Sequence, residues 1–306
     1  MKNAWKISEN KKRQMKNRLP NWLKKNKNLS ELREVKKKLR KSSLSTVCEE
    51  ARCPNITECF SRRRATFLIM GDICTRACKF CSIKKGRPKP VDYRESARVA
   101  SAAAQLGLKH VVITSVTRDD LPDKGAHAFA QTIVEIRKEL PKATVEVLTP
   151  DFSGNENLLK IVLDARPDVF NHNVETTRRL HPEIRPGADL NTSLNLLKIA
   201  RTISPNMIIK SGFMVGLGED EDEIEELLKS LSEVGLDILT IGQYMRPSKA
   251  NAPVERYWPL PYFESWARLA KTMGIKYVVS GPMVRSSYYA KEALEEVTYI
   301  KEDDRQ

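Results

Sequence analysis

Thr66-Phe67-Leu68-Ile69-Met70-Gly71-Asp72-Ile73-Cys74-Thr75-Arg76-Ala77-Cys78-Lys79-Phe80-Cys81 opens on a short apolar run and ends in three cysteines spaced C-x3-C-x2-C. The run reads as a buried strand. Cys74 lies four positions past Met70, so the three thiols sit on the loop that leaves the strand. Six further apolar, β-branched runs follow, at 111–114, 144–148, 168–174, 207–215, 238–244 and 276–280. Longer stretches with helical spacing separate them. One is Ile224, Leu227, Leu228 and Leu231, preceded by the acidic run 219–223, whose charge suits a first helical turn. Strand alternating with helix implies parallel strands joined by right-handed crossovers. Six such units predict an α/β fold, a partial (β/α)6 TIM-like barrel.

In a parallel barrel the chemistry gathers where the strands end, because the loops there converge on one mouth. Polar residues stand at those ends: Thr114 and Ser115, Thr149 to Asp151, His172-Asn173-Val174-Glu175, and Gln243 to Pro247. The cysteine loop belongs to the same mouth.

The chain has 306 residues, 41% hydrophobic and 30% charged, with a mean hydropathy of −0.46, enough to bury a large core. No stretch has the roughly 18 to 20 apolar residues of a membrane span, and no signal-peptide core opens the chain. A cytoplasmic protein is expected. The formal charge of +14 is concentrated in residues 1–45, with twelve Lys and four Arg against Glu9, Glu31 and Glu34. Such a basic arm could grip RNA, a membrane surface or an acidic partner, or be a solvated tail. A helix over 11–41 is predicted, with the sparse stripe Leu32, Val35 and Leu39 after an N-cap at Ser30. The charged segment 292–306 is expected to fray.

The six cysteines form two triplets, Cys48, Cys53 and Cys59, then Cys74, Cys78 and Cys81. Disulfides are disfavoured in a reducing compartment. Three thiolates on one loop can hold three irons of a [4Fe-4S] cluster and leave the fourth open to substrate. A structural zinc wants four ligands, which neither triplet supplies alone; His110 is the nearest histidine.

Cys74-Thr75-Arg76-Ala77-Cys78-Lys79-Phe80-Cys81, with its aromatic residue before the last cysteine, resembles the motif of the radical S-adenosylmethionine superfamily. The upstream spacing C-x4-C-x5-C resembles the auxiliary-cluster motif of the lipoyl synthase family. The resemblance runs from about Leu19 to Ala290 and includes Met70-Gly71-Asp72, Thr114-Ser115-Val116, Asn171 to Thr176, Arg185-Pro186-Gly187-Ala188, Lys210-Ser211-Gly212, Gly242-Gln243-Tyr244 and Arg285-Ser286-Ser287-Tyr288. Lys124, Ser82-Ile83-Lys84-Lys85 and Lys89-Pro90-Val91-Asp92 depart from the family pattern, at loops rather than at proposed ligands.

The resemblance implies a sulfurtransferase that inserts two sulfur atoms at C6 and C8 of a protein-bound octanoyl group. Its cofactors would be S-adenosylmethionine and two 4Fe-4S clusters. Cys74, Cys78 and Cys81 would hold the cluster that binds S-adenosylmethionine. Cys48, Cys53, Cys59 and Ser287 would hold the sulfur donor, with Ser286 the close competitor for the oxygen ligand. Thr114, Ser115, Asn173 and Glu175 are candidates for the cosubstrate's amino group and ribose. Arg185 and Lys210 are candidates for its carboxylate or for surface pairs, and Arg285 for a place near the second cluster. The glycine turn Gly216-Leu217-Gly218 is too acidic for a phosphate loop and is expected to border the S-adenosylmethionine pocket through its backbone. Expected segments are a basic arm (1–45), an auxiliary-cluster segment (46–63), the barrel (64–282) and a C-terminal segment (283–306), the extensions covering the mouth. Expected partners are octanoylated lipoyl-carrier domains of H-protein or E2 type, a flavodoxin or ferredoxin-like reductant and an iron-sulfur carrier protein, with no membrane or nucleic acid. Two rival readings remain at this point: a two-cluster enzyme that methylthiolates RNA, and a zinc-stabilised nucleic-acid-binding module.

Overall fold

The computed structural model describes residues 44–303 and, ahead of them, Arg33, 35–37, Leu39, Arg40 and Ser42. The expected helix over 11–41 is seen only in its last turns; Ser30 and Leu32 lie outside the described residues. Val35 and Leu39 are buried against the core and Lys36 pairs with Glu49 at 3.1 Å, so this part of the stripe docks on the barrel.

Seven parallel strands form the body: β2 (Thr66–Ile69), β5 (His110–Ser115), β6 (Thr144–Leu148), β7 (Val169–Asn171), β8 (Ile208–Val215), β9 (Ile238–Gln243) and β10 (Tyr277–Gly281). A two-residue strand β1 (Ser45–Thr46) adds antiparallel to β2. The sheet order is β1-β2-β5-β6-β7-β8-β9-β10, and the two ends do not pair with each other. Crossover helices α3 (Glu95–Gln105), α4 (Ala126–Glu139), α5 (Glu156–Asp164), α7 (Leu190–Ile203), α8 (Glu221–Glu233) and α9 (Leu260–Thr272) join successive strands. Six βα units and a seventh strand therefore make the expected partial barrel, open along one side.

Local chemistry accounts for these elements. In α8 the Asp220 side chain accepts from Glu223 N while the Glu223 side chain accepts from the Asp220 amide, and Ile224, Leu227, Leu228 and Leu231 bury one stripe. Strand β7 stops at Asn171, three residues short of the expected end. The chain then turns, with Glu175 at φ +71°, and rejoins the sheet by a single bridge between Glu175 and Phe213.

Two short helices, α1 (Val47–Glu50) and α2 (Ile56–Ser61), carry the upstream triplet past the open side. The four-residue α6 (His181–Ile184) lies beside the cysteine loop. The C-terminal segment corrects the expectation of fraying. Residues Ala290–Asp303 form helix α10, because Ala290, Ala293, Leu294 and Val297 fall at i, i+3, i+4 and i+7 and are buried. They pack on Val169, Ile208 and Ile238, at the starts of β7, β8 and β9, so α10 seals the end of the barrel opposite the mouth. Lys301 pairs with Asp237 there at 2.9 Å.

Candidate functional site

The cysteine loop is tied down at both ends and in the middle. Strands β3 (Ile73–Cys74) and β4 (Lys84–Lys85), a parallel pair not foreseen from sequence, close its base. Gly86 N donates to Cys74 O at 3.0 Å. Lys79 N donates to Ile184 O, and Asn251 Nδ2 donates to the carbonyls of Lys79 and Cys81 at 3.2 and 2.9 Å. Arg76, between the first two cysteines, sends its fork to Asp119 and to Asp151, the latter at 2.7 Å through Nη2. Both carboxylates follow barrel strands, so the loop is clamped to the mouth by a buried bidentate pair. Arg76 and its partners were missed from sequence, since nothing in the spacing of Arg76 points to residues 43 and 75 positions away.

Cys74, Cys78 and Cys81 line a cavity of about 460 Å³ at the strand ends, together with Thr114, Ser115, Asn173 and Glu175. Ser115 Oγ is buried without a partner, a polar atom with no protein group to satisfy it. Thr114 donates its hydroxyl to Leu148 O at 2.8 Å. Asn173 Oδ1 accepts from Ser286 Oγ at 3.0 Å. Burial pushes the Glu175 carboxyl above its ordinary value, against the pull of Arg185.

Arg185 also faces this cavity, held by hydrogen bonds from Nη1 to Asn173 O at 3.2 Å and Ser193 Oγ at 3.1 Å. His172 fixes Ser193 in turn. Its Nδ1 meets the Thr149 carbonyl at 2.8 Å, and a carbonyl cannot donate, so Nδ1 carries the proton and Nε2 accepts from Ser193 at 3.0 Å. Lys210 does not reach the cavity. It is fully buried, bonded to both oxygens of Glu146 at 2.9 and 3.1 Å, which removes it as a partner for a cosubstrate carboxylate.

The glycine turn after β8 also departs from expectation. From this strand end Met214 lines the cavity, and Gly216 to Gly218 do not. The amides of Gly216 and Leu217 donate to the Glu219 carboxylate, at 2.5 and 2.9 Å, which also takes the Trp258 Nε1 hydrogen at 2.8 Å. The turn cradles its own acid.

The upstream triplet borders a second cavity of about 290 Å³ with Ser287, Thr66 and Arg285. Ser287 and Ser286 face different neighbours. Thr66 Oγ1 donates to Ser287 Oγ at 2.9 Å, whereas Ser286 is bound into the barrel by Asn171 Nδ2 at 2.8 Å and by Asn173. Of the two, only Ser287 borders the cavity that holds all three upstream cysteines. Asn55 Nδ2 donates to Met283 O at 2.6 Å and Tyr288 OH to Glu58 at 2.9 Å, tying the two extensions together. Ser82 Oγ donates to Glu50 O at 2.6 Å, joining the two cysteine segments. The cavities abut, and Cys48, Cys53, Thr66, Arg285 and Ser287 line both.

The thiols fit iron-sulfur clusters. Burial pushes Cys48 and Cys78 upward, and Cys81 up to about 12, so none would ionise unaided. Buried thiols of this kind need a bound cation to become ligands. Among the described residues no three His, Cys, Asp or Glu side chains converge on a single ion; each triplet instead borders a cavity, and Cys48 and Cys53 reach both.

Comparison with known proteins places the chain in a family. The radical SAM superfamily model matches residues 68–231, and the model of the N-terminal domain of lipoyl synthase matches residues 1–53. Among solved structures, the chain superposes on Streptococcus suis SuiB bound to precursor peptide SuiA with a TM-score of 0.55 at 12% identity, over 81% of this chain and 52% of that one. It superposes on methylornithine synthase with a TM-score of 0.53 at 13% identity, over 90% and 82%. These likenesses speak to the fold. The lipoyl synthase of Rubrobacter xylanophilus is 53% identical over 86% of this chain and 82% of its own. That of Caldanaerobacter subterraneus subsp. tengcongensis is 52% identical over 90% and 97%. At that identity over nearly the whole length, the chain belongs to the lipoyl synthase family of radical S-adenosylmethionine enzymes.

Proposed function

We propose that the two abutting cavities divide the family's reaction, the insertion of sulfur at C6 and C8 of a protein-bound octanoyl group, between them. Cys74, Cys78 and Cys81 hold the cluster that binds S-adenosylmethionine, and Cys48, Cys53, Cys59 and Ser287 hold the donor cluster. When bound, these groups supply the electron and the 5′-deoxyadenosyl radical that remove hydrogen, and the sulfur that replaces it. The wall common to both cavities supports this reading, because it would set the donor's sulfur beside the carbon from which hydrogen is removed.

The chain's own residues bind, orient and exclude water. Ser115 offers an unused hydroxyl, Arg185 a held guanidinium and Glu175 a carboxyl to the polar parts of S-adenosylmethionine. Thr114 and Asn173 complete that polar wall. Leu68, Val116, Leu148 and Met214 give the same cavity an apolar side suited to an alkyl chain. The segments divide accordingly into a basic arm (1–45), a donor-cluster segment (46–63), the barrel (64–282) and a C-terminal segment (283–306) that brings the serine.

The substrate proteins are lipoyl carriers, of H-protein or E2 type. A flavodoxin or ferredoxin-like reductant and an iron-sulfur carrier complete the partners, and the basic arm suits acidic surfaces of such proteins. Six free cysteines call for a reducing compartment, the cytoplasm. No described helix is long and apolar enough to cross a membrane.

A single-turnover assay on an octanoylated carrier peptide tests the division of labour. Cys53→Ala is expected to keep deoxyadenosine formation and lose sulfur insertion, and Cys78→Ala to lose both. Sulfur insertion by Cys53→Ala at the wild-type level would overturn the assignment.

A further inference from the structure

We propose that Arg285 is a positioning residue of the donor site, a guanidinium set to face the negative charge that arises when the upstream cysteines ligate iron. This rests on the reading of Cys48, Cys53, Cys59 and Ser287 as donor-cluster ligands.

Arg76 pairs with Asp119 and Asp151, and Arg118 with Asp120, while Arg185 is held by the Asn173 carbonyl and the Ser193 hydroxyl. Among the described residues Arg285 has no ion pair. Its hydrogen bond from Nη1 to Val284 O, at 2.6 Å, uses one of five N–H donors. Arg285 borders both cavities, on the wall that also holds Cys53 and Ser287.

The fold makes room for this cation deliberately. Gly242, inside β9, lies so close to the C-terminal segment that a Cβ there would fall 2.2 Å from Val284 O and 3.3 Å from Arg285 Nη1. A glycine is required for the Val284 carbonyl to come this close to the strand, which brings Arg285 with it. Arg285 is half-buried, and taking a cation out of water without a counter-ion is costly. With neutral thiols nothing offsets it. Three thiolates and a serine alkoxide around a [4Fe-4S]²⁺ core leave net negative charge, which Arg285 would balance, and such charge helps to set a cluster's potential.

The test uses the full chain, reconstituted, in wild-type form and as Arg285→Met and Arg285→Lys. Each is also prepared with Cys74→Ala, Cys78→Ala and Cys81→Ala, so that electron paramagnetic resonance reports the donor cluster alone. Removing the charge is expected to move the donor cluster's midpoint to more negative potential and to speed iron loss to a chelator several-fold. Arg285→Lys should recover most of both, and in the chain that keeps all six cysteines the first cluster should keep its midpoint. Selective loss of donor iron in Arg285→Met, with full loading of Arg285→Lys, is the same result in stronger form. An unmoved midpoint at full loading, an equal shift of both clusters, or loss of donor iron in both variants overturns the inference. Wild-type protein that holds iron at the first site alone would instead refute the donor-cluster reading beneath it.

Discussion

Thr66, the first residue of β2, donates its hydroxyl hydrogen to Ser287 Oγ at 2.9 Å, so the strand that leads into one cysteine triplet also holds the oxygen beside the other. The bond spans 221 residues and closes the open side of the barrel. It leaves Ser287 a free lone pair and a proton to give up, whereas Ser286 is spent on Asn171 and Asn173.

Ser287→Ala is therefore expected to weaken iron retention at the upstream triplet and abolish sulfur insertion while deoxyadenosine still forms. Ser286→Ala should keep the iron and cost about 1 to 2 kcal/mol of stability, for the lost hydrogen bonds. Thr66→Val should cost about 1 kcal/mol and loosen donor iron to an intermediate degree. Iron counts with a chelator present, beside product analysis, check all three. Iron loss in Ser286→Ala and not in Ser287→Ala would exchange the two roles.

The Lys210–Glu146 pair is completely buried and carries Asn171, whose Nδ2 reaches Glu146 at 3.0 Å. Burial alone would raise the Glu146 carboxyl, yet Lys210 overrides it and holds it down at about 2. Lys210→Met strands a buried carboxylate and should cost about 3 to 5 kcal/mol in urea unfolding. Adding Glu146→Leu should recover part of that loss, since the charge left without a partner is gone.

His172 gives a pH dependence with a definite sign. Burial, with Arg185 behind it, lowers its pKa from 6.5 to about 3. The folded chain thus keeps the ring neutral where the unfolded chain protonates it. Stability from this group is full above 6.5 and falls as pH drops toward about 3, by up to about 1.4 kcal/mol per pH unit. Unfolding midpoints at pH 7, 6 and 5, compared with His172→Gln, isolate the term; a slope equal in both proteins would refute it.

Sequence reading reached what short-range pattern encodes. The strand and cysteine spacing from Thr66 to Cys81 marked both the barrel and its mouth, and the motif around Ser287 pointed to a residue that borders the second cavity. What it missed joins residues far apart in the chain. Arg76 finds Asp151, Ser82 finds the Glu50 carbonyl, and His172 holds Arg185 through Ser193. A cation in a sequence does not state its partner, so Lys210 looked as available as Arg185 until its pairing with Glu146 separated them. The charged tail misled for a related reason, because the charges on α10 hid the four apolar positions that dock it.

Gly242 offers the sharpest test of how the C-terminal segment is held. A Cβ added there would fall 2.2 Å from the Val284 carbonyl oxygen, a backbone atom that cannot swing aside as a side chain would. Gly242→Ala must therefore displace the chain that bears Arg285, Ser286 and Ser287, or bend β9. The segment sits on the open side of the barrel, while Cys74 to Cys81 are clamped by Arg76 and Asn251. The damage should follow that division: donor iron and sulfur insertion lost, first-site iron and deoxyadenosine formation kept. Gly235→Ala is the control, with φ +74° and only the Arg201 side chain nearby, so it should cost about 1 kcal/mol and leave both iron sites loaded. Iron analysis and product analysis on the two variants decide it, and equal loss at both sites in Gly242→Ala would mean that the segment supports the whole mouth rather than the donor site.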